Sequence, residues 1–394
     1  MRKFLNFIKT SLRETDKLLF SLCLIASVFG LLAVNSATKI KITDGSAVSR
    51  DFTAMLIAVA GGIILAALIS YIDYEVIVKL WPAIAIFCVG IMVALYFIGT
   101  PPPERPDAKT WITLGNTGYY FQPSEIVKIG FIVTFGMHLD YIKESLGSLK
   151  TLLFLVLHAA VPIGLVTVSG DIGSALVFII IFVGMVFTSG VELKFFVMGA
   201  AAFAALSPVL WKFIFTSIQR DRFLALFNPE KYPNVIYQQQ RGLEAIGSGG
   251  LTGMGLYKGV LTQAGIVPES HNDMIFSVVG EETGFLGCAA VILLLGLIFY
   301  KIIRTGQKSR DNATSLMCYG MAAMLIGQVV INIGMCLMLL PVVGITLPFF
   351  SAGGSSNLCL YIGIGLVLSV HRFNQSREAV NFRLARIRTP FSDV

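Results

Sequence analysis

A carboxylate at the point where a polar stretch enters an apolar run can meet a substrate that is half lipid and half water-soluble. Asp273, in VPESHNDMIF (267–276), stands at such a boundary. The plainer reading is a helix N-cap, a position that Asp also favours. Glu125 and Lys128 lie inside an apolar run and are three residues apart, so on a helix they share a face and can pair. Placing either against lipid is costly, hence both should face a cavity or the bundle interior. The pair then either binds a charged headgroup or pins two helices together, and the first use is favoured because intramembrane charges so often mark sites. Glu281 and Glu282 lie about two turns into a further apolar run. Neighbours on a helix point different ways, so one is expected to face a cavity and the other an interhelical partner. Asp171, directly before Ile-Gly-Ser-Ala, reads as an N-cap. The glycine-dense GSGGLTGMG (247–255) could present successive N–H groups to a pyrophosphate or be only a turn at the membrane surface. His271 is the one histidine beside a candidate site, and no partners at ligand spacing make it a metal ligand. Neither GxxxxGK[ST] nor HExxH occurs, which argues against an ATP-driven pump and a zinc protease of that type.

The elements that must position these residues are membrane helices. Of 394 residues, 55% are hydrophobic and 13% charged, and the mean hydropathy is +0.78. A soluble domain carries about 25% charge, and no water-soluble core could hide so much apolar surface. All six cysteines fall in apolar stretches, without CxxC spacing, and behave as small hydrophobes. A span needs about 20 apolar residues. Ten candidates lie near 18–37, 52–72, 76–99, 123–141, 150–168, 171–189, 192–213, 274–300, 312–340 and 356–372. The first is long enough to be an uncleaved anchor rather than a signal peptide.

Basic residues in short flanks stay cytoplasmic. They crowd the N-terminal tail 1–17 (Arg2, Lys3, Lys9, Arg13, Lys17), the C-terminal tail 373–394 with the adjoining Arg372, and the segment with Lys301, Arg304, Lys308 and Arg310. The fold class is therefore an all-α polytopic membrane protein of about ten transmembrane helices, a single unit over 1–394 with both termini cytoplasmic. The net charge of +7 then reflects topology and contact with anionic membrane lipids, with no nucleic-acid partner. Two longer connections, 100–122 and 214–273, fall outside, the second between helices seven and eight. Long connections in a compact architecture are usually functional.

Seven stretches now carry a resemblance: WITLG (111–115), FQPSEIVKI (121–129), GDIGSALV (170–177), RFLALFNP (222–229), AIGSGGLTGMG (245–255), VPESHNDMIF (267–276) and LPFFSAGGSSN (347–357). In these residues and their order, over about 18–372, the chain resembles the SEDS proteins (shape, elongation, division and sporulation), the family of RodA, FtsW and SpoVE. Asp73-Tyr74 and Thr262-Gln263 make it most like the RodA branch. It departs from the usual family pattern at Asp107, Gly170, Arg241-Gly242, Met254, Val343, Thr346 and Ala352, none of which removes Asp273 or the Glu125/Lys128 pair.

The resemblance implies a peptidoglycan glycosyltransferase in the bacterial cytoplasmic membrane. It would polymerise lipid II on the outer face for cell elongation, paired with a class B penicillin-binding protein that crosslinks the glycan. It also implies that Asp273 is the catalytic base, with Glu125, Lys128, Trp111, Arg222, Glu281, Ser351 and Ser355 as substrate-binding residues. Lys128, Arg222 and the glycine turn are the candidates for stabilising a departing pyrophosphate, and Trp111 for stacking on sugar or lipid or for anchoring at the interface. No organic cofactor is expected; a divalent cation is a candidate helper. A lipid-linked precursor flippase and a non-enzymatic scaffold are the rival readings. The first needs no carboxylate beside a long outer loop, and the second leaves Asp273 without a role.

Overall fold

A computed structural model describes residues 15–41, 47–101, 108–113, 115 and 118–388. The basic residues Arg2, Lys3, Lys9 and Arg13, the departure at Asp107 and the last residues 389–394 lie outside this description.

Among the described residues the chain forms fourteen α-helices. They are α1 Lys17–Thr38, α2 Arg50–Tyr71, α3 Tyr74–Lys79, α4 Trp81–Ile98, α5 Pro123–Tyr141, α6 Leu149–Val168 and α7 Ile172–Thr188. There follow α8 Leu193–Val209, α9 Ser217–Ala225, α10 Pro233–Ser248, α11 Val260–Gln263, α12 Ile275–Gln307, α13 Asn312–Cys336 and α14 Gly354–Arg388. Every candidate span is met by a helix. Eight helical stretches are long and apolar enough to cross a membrane, α8 counting with its π-helical continuation to Ile214. Of the other two candidates, α7 is short at 17 residues, and α5 is diluted by Glu125, Lys128 and Asp140. The stretch 214–273, expected as one long connection, instead folds into α9, α10 and α11.

Polar residues at the helix starts explain where the helices begin. Asp16, Ser49, Asp73, Asp171 and Asp311 each accept a hydrogen bond from a first-turn backbone N–H, at Leu19, Phe52, Glu75, Ser174 and Thr314. Such caps satisfy donors that the helix itself leaves unpaired. α5, α13 and the first part of α14 are the most enclosed of the long helices, whereas no residue of α8 is buried. The exposed apolar side chains of α2, α4, α6 and α8, among them Ile64, Ile86, Leu157 and Phe203, suit a lipid surround.

Side-chain contacts sort the connections into two ends. At one, Lys301 pairs with Asp16 at 2.7 Å, Ser369 donates to the Ile72 carbonyl at 2.6 Å, and Asn312 donates to Asp140 at 3.0 Å. At the other, Ser49 donates to Thr38 at 2.7 Å, Gln122 donates to Asp171 at 2.7 Å, and Asn332 donates to the Ile345 carbonyl at 2.7 Å. His371 Nδ1 lies 3.7 Å from Asp16 Oδ2, so residues 16, 301 and 371 share an end, as the distribution of basic residues requires.

Candidate functional site

Helix α12 is broken near its start. Gly284 has φ 67° and ψ −166°, outside any helical region, and the glycine stretch after α10 is spliced into the gap. Met254 N–H donates to the Glu281 carbonyl at 3.0 Å and Gly255 N–H to the Glu282 carbonyl at 2.9 Å. In return, Phe285 N–H donates to the Gly250 carbonyl at 2.9 Å and Leu286 N–H to the Leu251 carbonyl at 3.1 Å. In a continuous helix, 285 and 286 would bond to 281 and 282. The inserted loop takes over both bonds, so irregular backbone is satisfied inside the protein rather than against lipid. This corrects the pyrophosphate-nest reading of GSGGLTGMG, since its amides at 253, 254 and 255 are already engaged within the chain.

The two glutamates on this broken helix diverge as expected, but neither addresses a cavity. Glu281 is fully buried and accepts from Leu261 N–H (2.7 Å), Thr262 N–H (2.9 Å) and the Thr262 hydroxyl (2.6 Å), which places both its oxygens at the start of α11. Both oxygens expected to meet substrate are here engaged in support of that turn. Glu282 accepts from Ser36 at 2.6 Å and Gln263 at 3.2 Å, tying α12 to α1 and α11.

Asp273 lies half-buried just before α12, and it does not cap that helix. The N-cap position belongs to Met274, without any side-chain cap bond. The carbonyls of 271, 272 and 273 are each held: His271 by Ala352 N–H at 2.9 Å, Asn272 by the Ser351 hydroxyl at 2.8 Å, and Asp273 by the Asn332 amide at 2.8 Å. Gly344 faces the carboxylate, for a Cβ built on it would stand 3.5 Å from Asp273 Oδ2. Two residues earlier, the Val342 carbonyl accepts from Arg222 Nη1 at 3.0 Å.

Arg222, on α9, borders an apolar groove of about 550 Å³ whose walls include Phe203, Trp211, Phe223 and Val343. The segment 342–344 is thus one edge of this groove and also runs past Asp273. Charge, groove and carboxylate meet there.

The remaining expected contacts are placed less openly. Lys128 is fully buried and pairs with Glu125 at 2.8 Å. The space beside the pair, bordered by Gln328, Pro348 and Ser356, is about 10 Å³, which holds roughly one water. Of the two uses expected of the pair, the structure shows an internal ion pair beneath the 348–356 segment, with little space beside it. Ser351 accepts from Leu347 N–H at 2.8 Å while donating to the Asn272 carbonyl, so it fastens the loop before Asp273. Ser355 is buried in the first turn of α14. Trp111, half-buried, lies edge-on to Tyr120 at 6.2 Å on a two-stranded pairing of Ile112 with Phe121 and Thr113 with Tyr120. Asp171 keeps its capping role and also accepts from Gln122 and Ser124 at 2.7 and 3.1 Å.

Sequence reasoning passed over Asn332 and Asp51. Asn332 was legible as an amide in an apolar run, with Gln328 one turn before it on the same face. Asp51, whose Oδ2 lies 3.4 Å from His271 Nε2, carried no such signal. Glu269 Oε2 is 4.0 Å from the same nitrogen. Among the described residues, however, no group of three or more His, Cys, Asp or Glu side chains is placed to hold a metal ion.

Comparison with known proteins agrees with this architecture. A family model described as cell cycle protein, covering FtsW, RodA and SpoVE, matches residues 16–376. The chain is 31% identical over 316 residues to the peptidoglycan glycosyltransferase MrdB of Escherichia coli K12, covering 79% of this chain and 83% of that one. It is 30% identical over 388 residues to the probable peptidoglycan glycosyltransferase FtsW of Bacillus subtilis 168, covering 94% of each. Among solved structures, it matches a chain of a peptidoglycan synthase complex that coordinates polymerization and crosslinking, with TM-score 0.77, 26% identity and coverage of 91% and 98%. The rod shape determining protein RodA of Thermus thermophilus matches with TM-score 0.66, 25% identity and coverage of 91% and 97%.

Proposed function

This chain belongs to the FtsW, RodA and SpoVE family of cell cycle proteins, and from that premise we propose that it polymerises lipid II into glycan strands on the outer membrane face. It is a multi-pass membrane protein and a peptidoglycan glycosyltransferase. The observation that carries the substrate and the site is the junction at 342–344: an apolar groove bearing Arg222 on one side and the Asp273 carboxylate on the other. A substrate with an isoprenoid tail, a pyrophosphate and a sugar has three parts, and that junction offers each a place in the same order.

In the proposed reaction, Asp273 takes the proton from the 4-hydroxyl of the acceptor sugar. The freed oxygen attacks the anomeric carbon of the donor, the bond from that carbon to the pyrophosphate breaks, and polyprenyl pyrophosphate leaves with inversion. A base within hydrogen-bond reach contributes about 10²–10⁴-fold; alignment of the two substrates and stabilisation of the leaving charge supply the rest. Arg222 is suited to the second task, being permanently charged and placed at the groove edge. A divalent cation, if bound there, would supply charge neutralisation for the leaving pyrophosphate.

The proposed partner is a class B penicillin-binding protein that crosslinks the product, in keeping with the similarity to a chain of a synthase complex. The likeness to RodA supports a role in elongation. Purified protein given labelled lipid II without ATP should build long glycan strands, and Asp273→Asn should not. Movement of lipid II across sealed vesicles with no strand formation would make the protein a transporter instead.

A further inference from the structure

The carbonyls of His271 and Asn272 are fastened by Ala352 and Ser351 of one loop, whereas the Asp273 carbonyl is held from α13, chiefly by Asn332 and by a longer contact from Cys336 Sγ at 3.5 Å. The Asn332 amide Nδ2 donates to the Asp273 carbonyl at 2.8 Å and to the Ile345 carbonyl at 2.7 Å. Asn332 is fully buried, and it lies about one turn from the end of α13. Burying an amide in a membrane helix is costly. Its Oδ1 makes no hydrogen bond among the described residues, so the side chain serves through its two donated bonds. Those two bonds join the loop that carries the carboxylate to the segment that carries Gly344, which faces Asp273 Oδ2, and Val342, which holds Arg222.

Resting on the reading of Asp273 as the base, we infer that Asn332 is a positioning residue for glycosyl transfer, holding the Asp273 backbone in register with the 342–345 edge of the groove. The side chain touches protein only. Its loss frees the Asp273 loop to shift relative to the groove, and a displacement of about 1 Å can cost on the order of 10²-fold in rate. Substrate affinity, set by the groove and Arg222, should change little. Ser351 acts one residue earlier, on the Asn272 carbonyl, and should show the same pattern more weakly.

The test compares wild type, Asn332→Ala, Ser351→Ala and Asp273→Asn as purified full-length chains, with kcat and KM for labelled lipid II measured per mole of thermally folded protein. For Asn332→Ala, kcat should fall about 10²-fold while KM stays within about threefold. Ser351→Ala keeps the proposal testable if Asn332→Ala does not fold, and it should lower kcat with KM likewise unchanged. Wild-type kcat in the folded variants, or a raised KM with kcat unchanged, would overturn the inference. If Asp273→Asn is inactive while Asn332→Ala turns over normally, only the positioning role is lost. If Asp273→Asn turns over normally, the base assignment fails and the role of Asn332 fails with it.

Discussion

At the scale of single residues, Asp273 and the Glu125/Lys128 pair respond to substitution in opposite ways because their surroundings differ. Asp273 is half-buried and is not the N-cap of α12, and Asn matches it in size and polarity, so Asp273→Asn should leave folding and insertion intact while glycan synthesis falls by about 10²–10⁴-fold. Asp273→Glu retains a base but moves it by about one methylene, so partial or no activity is expected in the same polymerisation assay. Lys128, fully buried and paired at 2.8 Å, behaves differently. Lys128→Met strands Glu125 without its cation, a loss of about 3–5 kcal/mol when a buried pair is broken from one side. The yield of monodisperse protein and its thermal midpoint should drop. Lys128→Met combined with Glu125→Gln should recover most of both. Recovery of folding with activity still absent would instead give the pair a part in the chemistry.

At the scale of elements, the break in α12 and the loop that fills it make the glycines at 253 and 284 structural necessities. Both have positive φ, 80° and 67°. A Cβ on Gly253 would meet the Glu282 carbonyl, and one on Gly284 would meet the backbone at Leu251 and Gly253. Gly253→Ala and Gly284→Ala should each cost at least about 1–3 kcal/mol from backbone strain alone, read as a lower melting temperature and lost protein. Gly247→Ala is the control: it lies in α10 with nothing within 4 Å of the added carbon, and it should be neutral or stabilising by about 0.5–1 kcal/mol. Equal damage at all three positions would remove the splice as the cause. The glycine density of 245–255 was visible in the sequence, and so was its suitability for exposed amides. Its actual use was not, because the carbonyls it serves belong to a helix break some 30 residues later and composition carries no record of that pairing. For the same reason the position of Asp273 at a boundary was legible while the engagement of Glu281 with the α11 turn was not. Boundary position follows from local hydropathy; a partner 20 residues away depends on how the chain folds back.

At the scale of the whole molecule, the alternation of helices predicts which connections share a side of the membrane. Local apolar length and basic flanks were enough to expect helix at each of the ten apolar stretches, because spanning length and flanking charge are imposed by the bilayer rather than by packing; the ends were less legible, since α12 and α14 run on to Gln307 and Arg388. The contacts of Asp16 with Lys301 and of Ser369 with Ile72 put the N-terminal boundary, the end of α12 and the body of α14 at one end. His271 with Asp51, and Asn332 with Ile345, mark the other. A single cysteine introduced between residues 301 and 311 should therefore react with an impermeant thiol reagent only from the cytoplasm. One introduced near residue 230, between α9 and α10, should react only from outside. The native background should be low, since all six cysteines are buried and reaction requires an accessible thiolate. Intact cells and inside-out vesicles give the two readings separately. Reaction of both positions from the same side would break the assignment of the Asp273 end to the outer face, and with it the access of that carboxylate to a sugar outside the membrane.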